Sequence, residues 1–230
     1  IMNRISEKLL KMISDFAGEF RGAFNIRENG ECVGRRSTPN IRIEAKKDAP
    51  GLIIHISPET AKEIVYIPAC VTHGAIDDLV YNDFYVGTGA DVTIIAGCGV
   101  HTDSGDTARH NGIHRFFLES GAHVLYKEKH VGTGTGTGQK RIDPVTDIVL
   151  MENSILEMDT VQIGGIDSTV RKTTARLAAG ARLTIHESIL TEKNETAKTD
   201  FTVSMDGEDS AVDLISRSVA KGTSRQDYHS

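Results

Sequence analysis

The sequence predicts a mainly β protein: a parallel β-solenoid, preceded by one N-terminal α-helix. Three observations predict it. Apolar residues near the N-terminus recur at helical spacing, the rest of the chain consists of short alternating segments bounded by turn residues, and a motif recurs about every thirty residues.

The helix comes first. In ISEKLLKMISDFAGEF, Ile5, Leu9, Met12 and Phe16 fall on one helical face, and Gly18 ends the pattern. We expect this helix to pack against the body of the protein, in preference to the alternative that it docks a partner.

The chain divides into three parts by pattern. We assign residues 1–20 to the N-terminal helix, residues 21–75 to α/β lead-in strands, and residues 76–230 to the solenoid core. Beyond residue 75 the sequence contains no long helical pattern. The clearest strand candidates alternate apolar and polar residues: IRIEA, GLIIHIS, ADVTIIA, AHVLYKE, ARLTIHESIL and DFTVSMD.

A weak internal repeat selects the solenoid. Two small or polar residues precede an alternating segment at five places, which start at Gly89, Gly121, Asn153, Gly180 and Ser210. The successive steps are 32, 32, 27 and 30 residues, and each unit is rich in strands and poor in helix. A β-sandwich is the alternative for such a list of strands, but sandwiches rarely begin their strands so regularly.

Composition excludes several functional classes. The chain has 230 residues, 39% of them hydrophobic, and a net charge of −6 without a basic cluster, so we expect no nucleic-acid partner. No apolar run is long enough to span a membrane, and no signal peptide is visible. Cys32, Cys70 and Cys98 are odd in number and widely spaced, which argues against a disulfide framework and for a cytoplasmic location.

The glycine-rich stretch HVGTGTGTGQK, residues 130–140, resembles a phosphate-binding loop at first sight. Its spacing matches neither common nucleotide motif, and Pro144 and the following strand pattern leave no helix N-terminus to receive a phosphate. We therefore expect no nucleotide site here, and interpret the stretch as a mobile, solvated connection between coils.

The densest reactive stretch is AGCGVHTDSGDTARHNGIH, residues 96–114. Cys98, His101, His110 and His114 resemble a list of zinc ligands. In an extended strand, however, His110 and His114 would lie about 13 Å apart, too far to share an ion. The simpler interpretation makes Cys98 a buried apolar residue and places the histidines in a polar surface loop.

Cys98 has one further feature, because it lies between Gly97 and Gly99. Flanking glycines leave a thiol sterically open, and His101 is near enough in sequence to help form a thiolate. Serine-hydrolase and glycosidase signatures are lacking, so no catalytic residue is assigned.

Several separated segments resemble the SufB/SufD family, scaffold components of the Suf iron–sulfur cluster assembly machinery. They are TIIAGCGVHTDSGDTARHNGIH, VLYKEKHVGTGTG, DPVTDIVLMENSILEMDTVQIGGIDST and GEDSAVDLISRSVAKGTSRQDYHS, in the order that the family has them. The resemblance runs from about residue 60 to the end and is strongest to the short, single-scaffold form of anaerobic bacteria and archaea. It implies a right-handed parallel β-helix, in agreement with the repeat.

The resemblance also implies roles for residues. Cys98 falls where the SufB branch has a core cysteine implicated in accepting sulfur, and His130 falls near a polar residue that lines a tunnel. His101, His110 and His114 match the pattern of the short branch without an assigned role. The implied partners are a SufC-type ABC ATPase and a second scaffold chain, in a homodimer or heterodimer. The implied cargo is a transient iron–sulfur cluster.

The family continues beyond SRQDYHS with a further coil and a helical tail, whereas this sequence stops at Ser230. We therefore expect this chain not to hold a cluster by itself, and to dimerise through the open end of the solenoid. The function expected from these observations is that of a non-enzymatic scaffold. The alternatives are a zinc-dependent enzyme that uses Cys98, His101, His110 and His114, and a carbohydrate-acting β-helix.

Overall fold

The computed structural model describes residues 2–230, in which α1 (Arg4–Ile13) is the single helix. Asn3 caps it by accepting a hydrogen bond from the backbone N–H of Ser6 at 2.8 Å. The helix ends seven residues before the expected residue 20, where the Ser14 N–H and hydroxyl both donate to the Leu10 carbonyl oxygen. Met12, expected on the buried face, is 40% exposed. A helix of this length is too short to cross a membrane.

Eighteen strands, numbered β1 to β18 along the described residues, form two sheets. Sheet A contains β1 (Ala23–Glu28), β2 (Glu31–Arg36), β5 (Ala61–Val71), β7 (Asp91–His101), β9 (His123–Thr133), β12 (Ile155–Gly164), β14 (Arg182–Thr191) and β16 (Ala211–Ser216), with β17 (Val219–Ala220) paired beside β14. Sheet B contains β3 (Ile41–Ala45), β4 (Gly51–Ile56), β6 (Asp77–Val86), β8 (Ala108–Leu118), β10 (Lys140–Ile142), β11 (Val145–Leu150), β13 (Ser168–Leu177), β15 (Thr196–Met205) and β18 (Arg225–His229).

The architecture is the expected parallel β-solenoid, of about six turns. The chain alternates between the sheets, and each strand pairs in parallel with the strand one turn away, as β7 does with β9. Two antiparallel hairpins, β1–β2 and β3–β4, close the N-terminal end. Because β1 and β4 already pair in parallel with β5 and β6, the solenoid begins well before residue 76, and residues 21–75 hold strands only.

The repeated motif forms one corner of each turn. Its first residue has a positive φ, between 57° and 70°, in five successive turns: Gly89, Gly121, Asn153, Gly180 and Asp209. Glycine, asparagine and aspartate tolerate this left-handed conformation better than other residues do. The last unit therefore starts at Asp209, and the expected start at Ser210 is wrong by one residue, because Ala211 pairs with Arg182.

The interior has two halves that differ in chemistry. The apolar half lies beside these corners and is filled by aliphatic and aromatic side chains from the starts of the sheet A strands and the ends of the sheet B strands. The polar half lies towards the opposite edge, where sheet A strands end and sheet B strands begin, beside a second, smaller apolar cluster of Val71, Cys98, Val100, Ala108, Ile142 and Ile166. Buried titratable side chains concentrate there: Asp78, His110, His114, Glu128, His130, Arg171 and Glu187.

The glycine-rich loop covers the edge beside the polar half. The N–H groups of Gly136 and Gly138 donate to the carbonyl oxygens of Thr102 and Ser104 in the loop one turn below, at 3.1 and 2.9 Å. A Cβ at Gly134, Gly136 or Gly138 would collide with that lower backbone. The loop is thus a hydrogen-bonded layer of the stack, contrary to the expectation of a mobile connection.

Candidate functional site

Cys98 points into the polar half of the interior. Along β7 the side chains alternate, so Ala96, Cys98 and Val100 face inward while Gly97 and Gly99 face outward beneath α1. A Cβ at Gly97 would lie 2.9 Å from Ile13 Cβ, and one at Gly99 would lie 2.9 Å from Leu9 Cβ. The flanking glycines therefore let the helix approach the sheet, and they do not open the thiol.

The Cys98 thiol is buried, with 2% of the residue exposed. Burial raises its pKa well above the usual value, and the nearby acidic groups act in the same direction. The expectation of an accessible thiol that titrates easily is therefore wrong. Cys70 lies on the other side of the same sheet, beneath α1, and burial raises its pKa to about 12.

Two polar side chains continue the row that Cys98 begins. In the parallel ladder Cys98 is opposite His130 of β9, and His130 is opposite Gln162 of β12, so all three face the interior from neighbouring strands. Gln162 is 1% exposed, and its amide nitrogen and oxygen both lack a hydrogen-bond partner. An unpartnered buried amide costs free energy, which marks this row as a place for water or a polar ligand.

A buried hydrogen-bond chain crosses the interior beside this row. The His130 Nε2–H donates to Glu128 Oε1 at 2.9 Å, while Arg171 Nη1 donates to His130 Nδ1 at 3.2 Å. Arg171 Nε also lies 2.8 Å from Glu187 Oε1. Burial opposes the charge on Glu128, but His130 and Arg171 outweigh it and hold the pKa of Glu128 below its usual range.

The same chain extends to His114. The Tyr126 hydroxyl donates to Glu128 Oε2, so its oxygen accepts from the Nδ1–H of His114 at 2.8 Å. Burial lowers the pKa of His114 to about 4, which keeps its ring neutral at neutral pH. The Nε2 atom of His114 is therefore left without a proton.

A second chain holds His110. Arg27 donates to both carboxylate oxygens of Asp78, and the His110 Nδ1–H donates to Asp78 Oδ2 at 3.1 Å. Burial alone would raise the pKa of Asp78, but the bonds from His110 and Arg27 hold it below its usual range. Asp78 stays ionised and fixes the orientation of the imidazole.

His110 and His114 are buried in β8 on either side of Gly112, and not in a surface loop. Their Nε2 atoms lie 3.2 and 3.0 Å from the position that a Cβ on Gly112 would occupy. The two nitrogens face the same point, so the expected separation of about 13 Å does not apply to them. The side chains lean towards each other above the glycine.

His101 lies apart from this interior. Its side chain faces outward from the end of β7, with Nδ1 2.7 Å from Thr133 Oγ1 and Nε2 2.8 Å from Asp103 Oδ2. It cannot assist Cys98, and the four-residue zinc set is not assembled. Within residues 2–230, no three or more histidine, cysteine, aspartate or glutamate side chains are grouped to hold a metal ion.

Sequence reasoning missed most of the polar interior, namely Asp78, Tyr126, Glu128, Gln162, Arg171 and Glu187. The alternation of side chains along β9 could have predicted three of the inward-facing polar residues. Counting every second residue from Val124 places Tyr126, Glu128 and His130 on the inner face.

Comparison with known proteins finds a family match over the part of the chain that contains most of this site. The family described as "SUF system FeS cluster assembly, SufBD core domain" matches residues 82–230. A protein of Methanothermobacter thermautotrophicus named "Iron-sulfur cluster assembly SufBD family protein" is 23% identical over 185 residues. That match covers 79% of this chain and 44% of the length of the relative.

Proposed function

This chain belongs to the SufBD family of iron–sulfur cluster assembly proteins, and we propose that it is a non-enzymatic scaffold whose Cys98 accepts sulfur inside the solenoid. One observation carries the proposal: Cys98 faces the polar half of the interior, in one row with His130 and Gln162. Cys98 also belongs to an apolar cluster with Val71, Val100 and Ile142, so its burial alone resembles that of a structural cysteine. The small cavity that it shares with His110, His114 and His130 is what distinguishes it.

The proposed step is a sulfur transfer. The Cys98 thiolate attacks the outer sulfur of a donor persulfide, the bond between the two donor sulfurs breaks, the donor leaves as a thiolate, and Cys98 becomes a persulfide. Because burial keeps Cys98 protonated, a base must remove its proton first. We assign that role to His110, which lines the same small cavity as Cys98 and whose Nδ1–H donates to Asp78, a carboxylate that stabilises the ring when it takes up the proton.

The other groups hold the site in place. Arg171 keeps Glu128 ionised, and Glu128 orients both Tyr126 and His130. Gln162 offers an amide donor and acceptor that no protein group uses. We assign these side chains to positioning and to hydrogen bonding of the transferred sulfur.

Sulfur loading of the purified chain tests this proposal. The test uses a Cys32→Ser chain throughout, because the exposed Cys32 thiol would otherwise react with the donor itself. After anaerobic treatment with a small-molecule persulfide donor, intact-mass and peptide mass spectrometry should find one added sulfur atom on Cys98. Cys98→Ala should lose that sulfur. Cys70→Ala is the matched control, because Cys70 is equally buried in the neighbouring strand but on the other face, and it should load normally. Equal loading of Cys98→Ala and wild type would reject sulfur acceptance at Cys98.

We propose further that the scaffold works with a SufC-type ABC ATPase and with a second scaffold chain. Family membership supports both partners. Co-purification with such an ATPase and light scattering test the two partners separately. A chain that stays monomeric at high concentration and captures no ATPase would contradict this assembly.

A further inference from the structure

The cavity above Gly112 holds two imidazole nitrogens. The His110 ring donates its Nδ1–H to the ionised Asp78, which turns Nε2 towards the cavity. Tyr126 gives its one proton to Glu128, so the His114 ring donates through Nδ1 and leaves its own Nε2 without a proton. Both Nε2 atoms thus lie within about 3 Å of one point, the Cβ position of Gly112.

Nothing on the protein satisfies both nitrogens. The nearest donor is Asn82 Nδ2, 3.5 Å from His114 Nε2, which is too long for a normal hydrogen bond. Asn82 adds an acceptor of its own, because its Oδ1 is buried without a partner. The cavity that Asn82, Cys98, His110 and His114 line has a volume of about 20 Å³, enough for one water-sized occupant.

The outer partners match those of metal-bound histidines. A histidine that binds a metal usually donates its second ring N–H to a carboxylate or a group held by one, which fixes the tautomer and orients the lone pair. His110 does so directly through Asp78, and His114 does so through Tyr126 and Glu128. Gly112 leaves open the space between the two rings, which any other residue would fill with a Cβ.

From these observations we propose that His110 Nε2 and His114 Nε2 bind one divalent first-row transition metal ion inside the solenoid, in the cavity that Cys98 and Asn82 also line. Imidazole nitrogen suits iron, cobalt, nickel and zinc, and a cysteine sulfur at the same cavity strengthens that preference over calcium or magnesium. This site uses neither His101 nor a catalytic water. Metal binding and sulfur acceptance use the same cavity, but experiment can separate them: a bound metal would block proton transfer from Cys98 to an imidazole, whereas neither imidazole needs Cys98 to hold a metal.

Anaerobic titration of the full chain with Co²⁺ tests the site. The wild-type chain should bind one Co²⁺ per chain, and its visible spectrum should show nitrogen coordination. Gly112→Ala should abolish this uptake, because its methyl group would lie 3.2 and 3.0 Å from the two nitrogens while both histidines remain. Gly112 is not in a left-handed conformation, so the substitution introduces no backbone strain.

Two controls separate a lost site from a lost fold. His101→Ala removes a histidine from the outer face of β7 and should bind Co²⁺ like the wild type.

In wild-type protein with excess Zn²⁺, NMR of the imidazole nitrogens should show the His110 and His114 rings protonated at Nδ1 only, with their Nε2 signals shifted from the metal-free positions. A wild-type chain that takes up no metal, Gly112→Ala that binds like wild type, or an Nε2 proton that persists in excess Zn²⁺ would overturn the proposal. A persistent Nε2 proton would mean that the two rings share a proton and do not bind a metal.

Discussion

The two halves of the interior are built from the same strands but follow different rules. In the apolar half, one ladder row runs Val92, Val124, Leu156, Leu183, Val212, so each turn repeats the aliphatic side chain of the turn before. In the polar half, the row through Cys98 runs Ala69, Cys98, His130, Gln162, Ile189, and no two turns contribute the same group. Repetition serves packing, whereas the varied row serves chemistry, because a site needs different groups at fixed positions.

The largest effect should come from removing the central cation of the polar half. Arg171→Met leaves Glu187 and Glu128 buried without their positive partner, so we expect a loss of about 3–5 kcal/mol in the free energy of unfolding. Urea denaturation measures it. The control is Lys172→Met at the next, outward-facing position, which should change stability by less than about 0.5 kcal/mol. Equal stability of the two variants would mean that the ion pairs of Arg171 with Glu128 and Glu187 do not stabilise the fold.

A cavity in the apolar half should destabilise the fold less than Arg171→Met does, and it should leave sulfur loading on Cys98 unchanged. Leu156→Ala removes a fully buried side chain, and we expect a loss of about 3 kcal/mol by urea denaturation. Because Leu156 lies in the apolar row, the folded variant should still load sulfur on Cys98. Loss of loading in a folded Leu156→Ala chain would show that the two halves are not separate.

Acid should weaken the polar half selectively. Glu128 has a lower pKa in the folded chain than in the unfolded chain, so its stabilising contribution is present above the unfolded value of about 4.3 and disappears as the pH falls below it. We expect the unfolding free energy to decrease between about pH 5 and pH 3, with a contribution from Glu128 on the order of 1 kcal/mol. Glu128→Gln should flatten this dependence. Glu157→Gln, at an exposed position, should retain it, and identical slopes for both variants would contradict the assignment.

The smallest expected effect concerns only the reactivity of the three cysteine thiols. Cys32 is exposed, whereas Cys70 and Cys98 are buried with raised pKa values. A bulky thiol reagent at neutral pH, unlike a small sulfur donor, should therefore modify Cys32 quickly and Cys70 and Cys98 only after denaturation, with the modified residue identified by peptide mapping. Rapid modification of Cys98 in the native chain would show that its side of the interior opens to solvent.

Several features could be predicted from the sequence because they depend on local rules. Alternation of apolar residues predicted β3, β4, β7, β9, β14 and β15, and the recurring small residues predicted the stacked turns. The left-handed corner at Gly89 and its equivalents follows from the conformational freedom of these residue types. The motifs around Cys98 and in residues 210–230 identified the family.

The site required the tertiary structure. Gly97 and Gly99 look the same in the sequence whether they expose a thiol or receive a helix, and only the position of α1 decides between the two. His110 and His114 converge because Asp78 and Tyr126, from other strands, turn their rings towards Gly112. Arg171 meets Glu128 across the interior although 43 residues separate them. Local pattern determines which side chains face inward, but which of them meet depends on the register and on the opposing sheet, and a single strand carries no information about either.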